Sequence, residues 1–159
     1  MSRNDGYYFR HRATVSTAIT VMQAKAGANN GFEILRCVAT QYGSTTSAQE
    51  ELLLIRKTIA ATVTQAVIGG SGGHVFLTDP NMSNPSLSLG TAGTGVIATS
   101  EGIESDHVWR LGFNVLNGLY ELAIPEERIW VPPGGIIGLK FIVAPASQTW
   151  NFLWTIRET

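Results

Sequence analysis

Gly69-Gly70-Ser71-Gly72-Gly73 is where a nucleophile could stand in this sequence, because it spells Gly-x-Ser-x-Gly. In α/β-hydrolases that pattern is a sharp turn lifting a serine hydroxyl above the sheet, with a strand before it and a helix behind it. Here the following residues, His74-Val75-Phe76-Leu77-Thr78-Asp79-Pro80, are strand formers stopped by proline, so the glycines read as a flexible turn. His11, His74 and His107 share no metal-ligand spacing such as i, i+4. Glu101 with Glu104, and Glu126 with Glu127, are the carboxylate pairs that could divide acid–base work. Such pairs in loops ahead of strands are ordinarily solvated. Cys37, the single cysteine, lies in Leu35-Arg36-Cys37-Val38 with no neighbouring histidine or helix start to lower its pKa. It reads as a small buried apolar residue. No Gly-x-x-x-x-Gly-Lys phosphate cradle occurs. The expectation is a protein that is not an enzyme and takes no cofactor or metal.

Two other groups of residues suit binding. Arg3, Arg10, His11 and Arg12 are interleaved with Tyr7, Tyr8 and Phe9. Residues 1–12 read as a short arm that docks on a partner, in preference to a nucleic-acid clamp. Eleven basic residues, three of them lysines, at net charge −1 are a poor match to a phosphate backbone. Trp150, Phe152 and Trp154 occupy one face of the last strand-like segment, which suits a core and, alternatively, a carbohydrate-binding platform.

Strands must carry these residues. Val15, Thr17, Ile19 and Val21 recur with period two, and so do Phe32, Ile34, Arg36 and Val38. With Gly27-Ala28-Asn29-Asn30-Gly31 between them, the two runs predict a hairpin. Glu50 to Ile59 is read as a strand, although Glu-Glu-Leu-Leu-Leu also suits a helix. His107 to Val115, Leu119 to Ile124, Ile137 to Val143 and Thr149 to Arg157 complete the set. Asn117-Gly118 predicts a type I′ hairpin turn, and Pro132-Pro133-Gly134-Gly135 a rigid corner. Thr58 to Ser100 reads as a long loop in which Asp79 is the sole charge. Loops of that length in a compact domain are commonly functional.

Eight or nine strands with no convincing helix predict an all-β chain, best described as a single jelly-roll β-sandwich of about eight antiparallel strands. The arm covers residues 1–12 and the single domain residues 13–159. Charged residues are 14% of the chain, against roughly 25% in an ordinary globular domain. Sixteen Thr and eleven Ser replace part of that charge, and the remaining deficit points to a surface made for contact. The 44% apolar content excludes a disordered chain. The start of the sequence has no apolar signal segment, and no run approaches a membrane-spanning length. A soluble chain made in the cytoplasm is expected, with no membrane and no direct nucleic-acid partner.

The order Glu50-Glu51-Leu52-Leu53-Leu54-Ile55-Arg56-Lys57-Thr58, the uncharged Gly/Thr region, Trp109 and Asn114, then Pro125-Glu126-Glu127-Arg128-Ile129-Trp130-Val131-Pro132-Pro133-Gly134-Gly135, resembles small virion proteins of tailed phages. It looks most like jelly-roll head decoration, or cement, proteins, over roughly residues 14–157. The resemblance implies a homotrimer on the capsid exterior, bound to the major capsid protein and stabilising the shell. Arg3, Tyr7, Tyr8, Phe9, Arg10 and Arg12 are then the expected capsid contacts. The alternative is a receptor- or glycan-binding head domain of a tail fibre; a metal-dependent cupin-type enzyme would need more clustered histidines.

Overall fold

A computed structural model describes residues 6–159 except Ser44 and Pro80. Two antiparallel sheets pack face to face as a β-sandwich, and no α-helix occurs among the described residues. The strands are β1 (Gly6–Val15), β2 (Thr20–Lys25), β3 (Phe32–Tyr42), β4 (Gln49–Ile59), β5 (Thr62–Gln65) and β6 (Val75–Leu77). They continue as β7 (Gly95–Ser100), β8 (Ile103–Asn114), β9 (Leu119–Leu122), β10 (Ile129–Val131), β11 (Ile136–Phe141) and β12 (Gln148–Glu158).

Sheet A runs β10-β3-β12-β1-β6, with β9 beside β10 along the same edge of β3; sheet B runs β5-β7-β2-β11-β4-β8. The first and last strands pair along their length, from Gly6 opposite Arg157 to Val15 opposite Gln148. Alternation dictates which side chains meet between the sheets. Tyr7, Phe9 and Val15 of β1 point inward, as do Trp150, Phe152, Trp154 and Ile156 of β12. Opposite them stand Met22 and Ala24 of β2, Leu52 and Leu54 of β4, and Ile137, Leu139 and Phe141 of β11. Trp150 meets Phe113 and Phe141, and Phe9 meets Trp154 edge-on at 5.8 Å. Each such ring removes about 150–250 Å² from water, so this layer dominates the core.

Several sequence expectations are corrected. No arm separates from the domain at residue 12: from Gly6 onward the chain is β1, with Tyr7 and Phe9 fully buried. Tyr7, Phe9, Ala13 and Val15 in fact alternate with Tyr8, Arg10, Arg12 and Thr14. Arg3 lies outside the described residues. The run Val15 to Val21 read as one strand belongs to two, because the chain leaves sheet A after Val15 and enters sheet B at Thr20. The hairpin expected around Gly27–Gly31 is absent for the same reason, since β2 and β3 belong to different sheets. Asn117-Gly118 likewise links β8 of sheet B to β9 of sheet A. Gly118 alone takes a positive φ there, at 71°, and both amides donate to the Asn114 carbonyl, so the turn is not type I′. Pro132-Pro133-Gly134-Gly135 carries the chain from β10 to β11, closed by the Gly135 amide on the Pro132 carbonyl at 2.8 Å.

Residues 58–100 are not one long loop. They hold β5, β6 and β7, and bury Ala61, Val63, Ala66, Val75, Leu87 and Val96. This segment closes over β2, where buried Gln23 accepts from the Ala61 amide and donates to the Ala61 and Gly93 carbonyls. Burial explains the missing charge only at these inward positions, where an unpaired charge is costly; the rest of the segment is largely exposed.

Candidate functional site

Among the described residues, the outer face of sheet A brings an open cavity together with arginines and aromatic rings. Register sets this arrangement. Tyr8, Arg10 and Arg12 project outward from β1, and β12 places Thr155, Leu153 and Asn151 beside them. β3 then adds Arg36, Val38 and Thr40 in the same rows, and β9 adds Leu122 and Tyr120. An open cavity of about 750 Å³ lies on this face, floored by those β1 and β3 residues with Asn151 and Leu153, and walled by Gly72, Gly73, His74 and Phe76.

The cations here rest on rings. Arg10 lies 3.9 Å over Phe76, Arg12 lies 4.8 Å over Tyr42, and Arg36 lies 5.9 Å over Tyr120. Arg36 Nε also donates to Thr155 Oγ1 at 3.2 Å. Among the described residues none of the three arginines pairs with a carboxylate. Glu33, farther along the same face, is held by Arg157 and Arg128. Aromatic faces hold guanidinium groups without neutralising them, so the positive charge stays available.

His11 and His74 sit at the cavity wall with ring centroids 5.4 Å apart. His74 Nδ1 accepts the Val67 amide at 3.2 Å, whereas buried His11 Nε2 meets no partner. Burial, helped by the neighbouring His74, lowers the His11 pKa to about 4. Both histidines are therefore neutral near pH 7 and leave the charge to the arginines.

A second cluster covers the outer face of sheet B. Lys57 Nζ, fully enclosed, donates to Thr20 Oγ1 at 2.9 Å, to the Glu101 carbonyl at 2.7 Å and to Glu101 Oε2 at 3.3 Å. Glu101 also accepts from the Thr20 amide at 2.7 Å and the Thr20 hydroxyl at 2.6 Å. Lys140 bridges Glu104 at 2.7 Å and Glu101 at 3.6 Å, and His107 approaches Glu104 at 3.6 Å. Burial pushes Lys57 down despite Glu101. It would push Glu101 up, but the Thr20 hydrogen bonds and both lysines bring it below its usual value. Glu101 and Glu104 were expected to be solvated; instead they are ion-paired, because β2, β4 and β11 bring Thr20, Lys57 and Lys140 under the turn between β7 and β8. Every charge in the cluster is already engaged, which marks a clamp that holds the fold.

The remaining candidates separate. Gly69, Gly70 and Gly72 adopt positive φ in an exposed turn with no helix behind Ser71. Glu126 and Glu127 lie exposed in the single-turn 3-10 helix Pro125–Glu127. Cys37 is buried, its thiol pushed up to about 12 by burial although the Trp154 indole donates to it at 3.2 Å. Trp150, Phe152 and Trp154 are core, so they form no glycan platform. No three His, Cys, Asp or Glu side chains converge among the described residues. Nor is any helix there long and apolar enough to cross a membrane. Sequence reading missed Arg36 and the cavity; the available signal was that Arg36 shares β3 with Val38 and Thr40, but its partners Tyr120 and Thr155 lie 84 and 119 positions away. Compared with family models, curated proteins and solved structures, the chain matches none.

Proposed function

We propose that this chain is a non-catalytic structural protein of a virion, a jelly-roll decoration protein that self-associates and binds the outside of a capsid. The order β1-β12-β3-β9 in one sheet and β2-β11-β4-β8 in the other supports the jelly-roll reading, with β5, β6, β7 and β10 as additions. The observation that carries the functional reading is one uncovered sheet edge. β9 pairs with β3 on one side, and no strand among the described residues pairs with its other side. Along it Tyr120, Leu122 and Ile124 are each more than half exposed, and Trp130 of adjacent β10 is half exposed. An apolar edge is a template for pairing with another chain, and a contiguous apolar patch marks a contact site.

A homotrimer closed through these edges would hide them, and repetition of one weak contact over many copies would clamp a shell by avidity. The test is the mass in solution by light scattering, with Leu122→Lys and Tyr120→Lys as variants, followed by co-sedimentation with phage capsids. The expected outcome is an oligomer, a trimer in the simplest case, that dissociates on either substitution and decorates capsids when intact. A monomer at high concentration that ignores capsids overturns the reading.

A further inference from the structure

We propose that the groove on the outer face of sheet A binds an extended acidic segment of a partner protein, added as a strand to the open edge of β1. The inference rests on the reading of this chain as a shell-binding protein, and it names the chemistry of what is bound.

Three observations converge. First, β6 covers only Tyr7 to Phe9 of β1. Beyond it the Arg10 amide donates to the His74 carbonyl at 2.8 Å, and alternate residues of a strand present their main chain to the same side. Arg12 and Thr14 therefore face an edge that no strand among the described residues covers. Second, the wall beside that edge is Gly72-Gly73, which has no side chains to fill the approach. Third, Arg10 and Arg12 stand two residues apart, so about 7 Å separates them along the strand. His74 already stands opposite Arg10, so a segment laid against β1 from Arg12 onward would set a Glu opposite the Arg12 guanidinium, with Arg10 as its diagonal neighbour, as opposite charges do across a strand pair. Arg36 stands two strand spacings, about 10 Å, on the other side of β1 and adds to the positive charge of the face without touching the added strand. A sulfated polysaccharide or nucleic acid would satisfy the arginines but has no use for a strand edge, which is why peptide is favoured.

The test uses the full chain and a fluorescent hexapeptide, acetyl-Glu-Val-Glu-Val-Glu-Thr-amide, with anisotropy as the readout. Saturable binding is expected, weakened at least tenfold by Arg12→Ala and abolished by Arg12→Glu, with Arg12→Lys between the parent and Arg12→Ala. Methylating alternate amides of the peptide removes its strand bonds and is expected to weaken it at least tenfold more. All three variants change an exposed side chain, and their unfolding curves are recorded to establish that they are folded. Failure of the peptide to bind overturns the proposal. So does heparin or single-stranded DNA binding more tightly with no effect of amide methylation on the peptide. A change of oligomeric state with Arg12→Glu, together with no peptide binding, overturns it in favour of a second copy in the groove. Failure of the decoration reading looks different: the peptide still binds, while the protein is monomeric and leaves capsids bare.

Discussion

The two outer faces of the sandwich handle positive charge in opposite ways. On sheet B, Lys57 and Lys140 are enclosed with Glu101, Glu104 and Thr20, and each lysine is paired with a carboxylate. On sheet A, Arg10, Arg12 and Arg36 lie on aromatic rings with no carboxylate beside them among the described residues. Satisfied charge fixes a turn in place, whereas unsatisfied charge held by rings keeps its capacity to attract. The distinction separates what holds the fold from what is free to bind, although both faces contain similar residue types.

Removing one member of the enclosed cluster is the strongest way to break this comparison. Lys57→Ala leaves Glu101 partly buried without its main cation, and unfolding by denaturant is expected to lose about 2–4 kcal/mol, since breaking such pairs is costly. Lys57→Met, which keeps the packing over Gly138, is expected to lose about half of that. If both variants match the parent, the clamp is ornamental and the contrast fails.

Acid sharpens the other side. His11 has a folded pKa of about 4 because of burial, then His74, against about 6.5 when unfolded. The unfolded chain therefore binds more protons between these values, so stability is full above pH 6.5 and falls as pH drops toward 4. After discounting for its partial exposure, the loss is about 1–2 kcal/mol. His11→Asn should flatten that part of the pH profile measured by thermal unfolding.

Substituting the ring-held arginines singly by Ala is expected to change stability by less than about 1 kcal/mol, the worth of an exposed cation–π contact. Salt gives the smallest effect on folding. Raising NaCl from about 0.05 to about 0.5 M shortens screening lengths, so peptide capture on sheet A should weaken several-fold while the melting temperature, governed by enclosed pairs, hardly moves.

How far the sequence reveals this depends on range. Gln148–Glu158 was legible because period-two alternation is local, and Trp150, Phe152 and Trp154 announce a core by type as well as spacing. Gln49–Ile59 instead carries an unbroken buried run, Leu52 to Ile55, whose pattern does not by itself separate strand from helix. β1 was misread as an arm because Arg10, His11 and Arg12 obscure the inward alternation of Tyr7, Phe9 and Val15. The turns at Gly27–Gly31 and Asn117-Gly118 have hairpin composition, but composition does not say whether a chain returns to the same sheet or crosses to the other. Residues 58–100 hid three strands because each is only three to six residues long. Neither charged site could be seen locally: Lys57 meets Glu101 forty-four positions later, and Arg10 shares its face with Leu153.

The pairing of β1 with β12 also sets a timetable for biosynthesis. Sheet A lacks its middle strand until Gln148–Glu158 has left the ribosome, which at ordinary elongation speeds is roughly 10–30 s after β1 emerges. During that interval Tyr7 and Phe9 have no layer to enter, and a nascent chain offers chaperones an unfinished sheet. Translation that stalls before β12 yields a polypeptide unable to close sheet A.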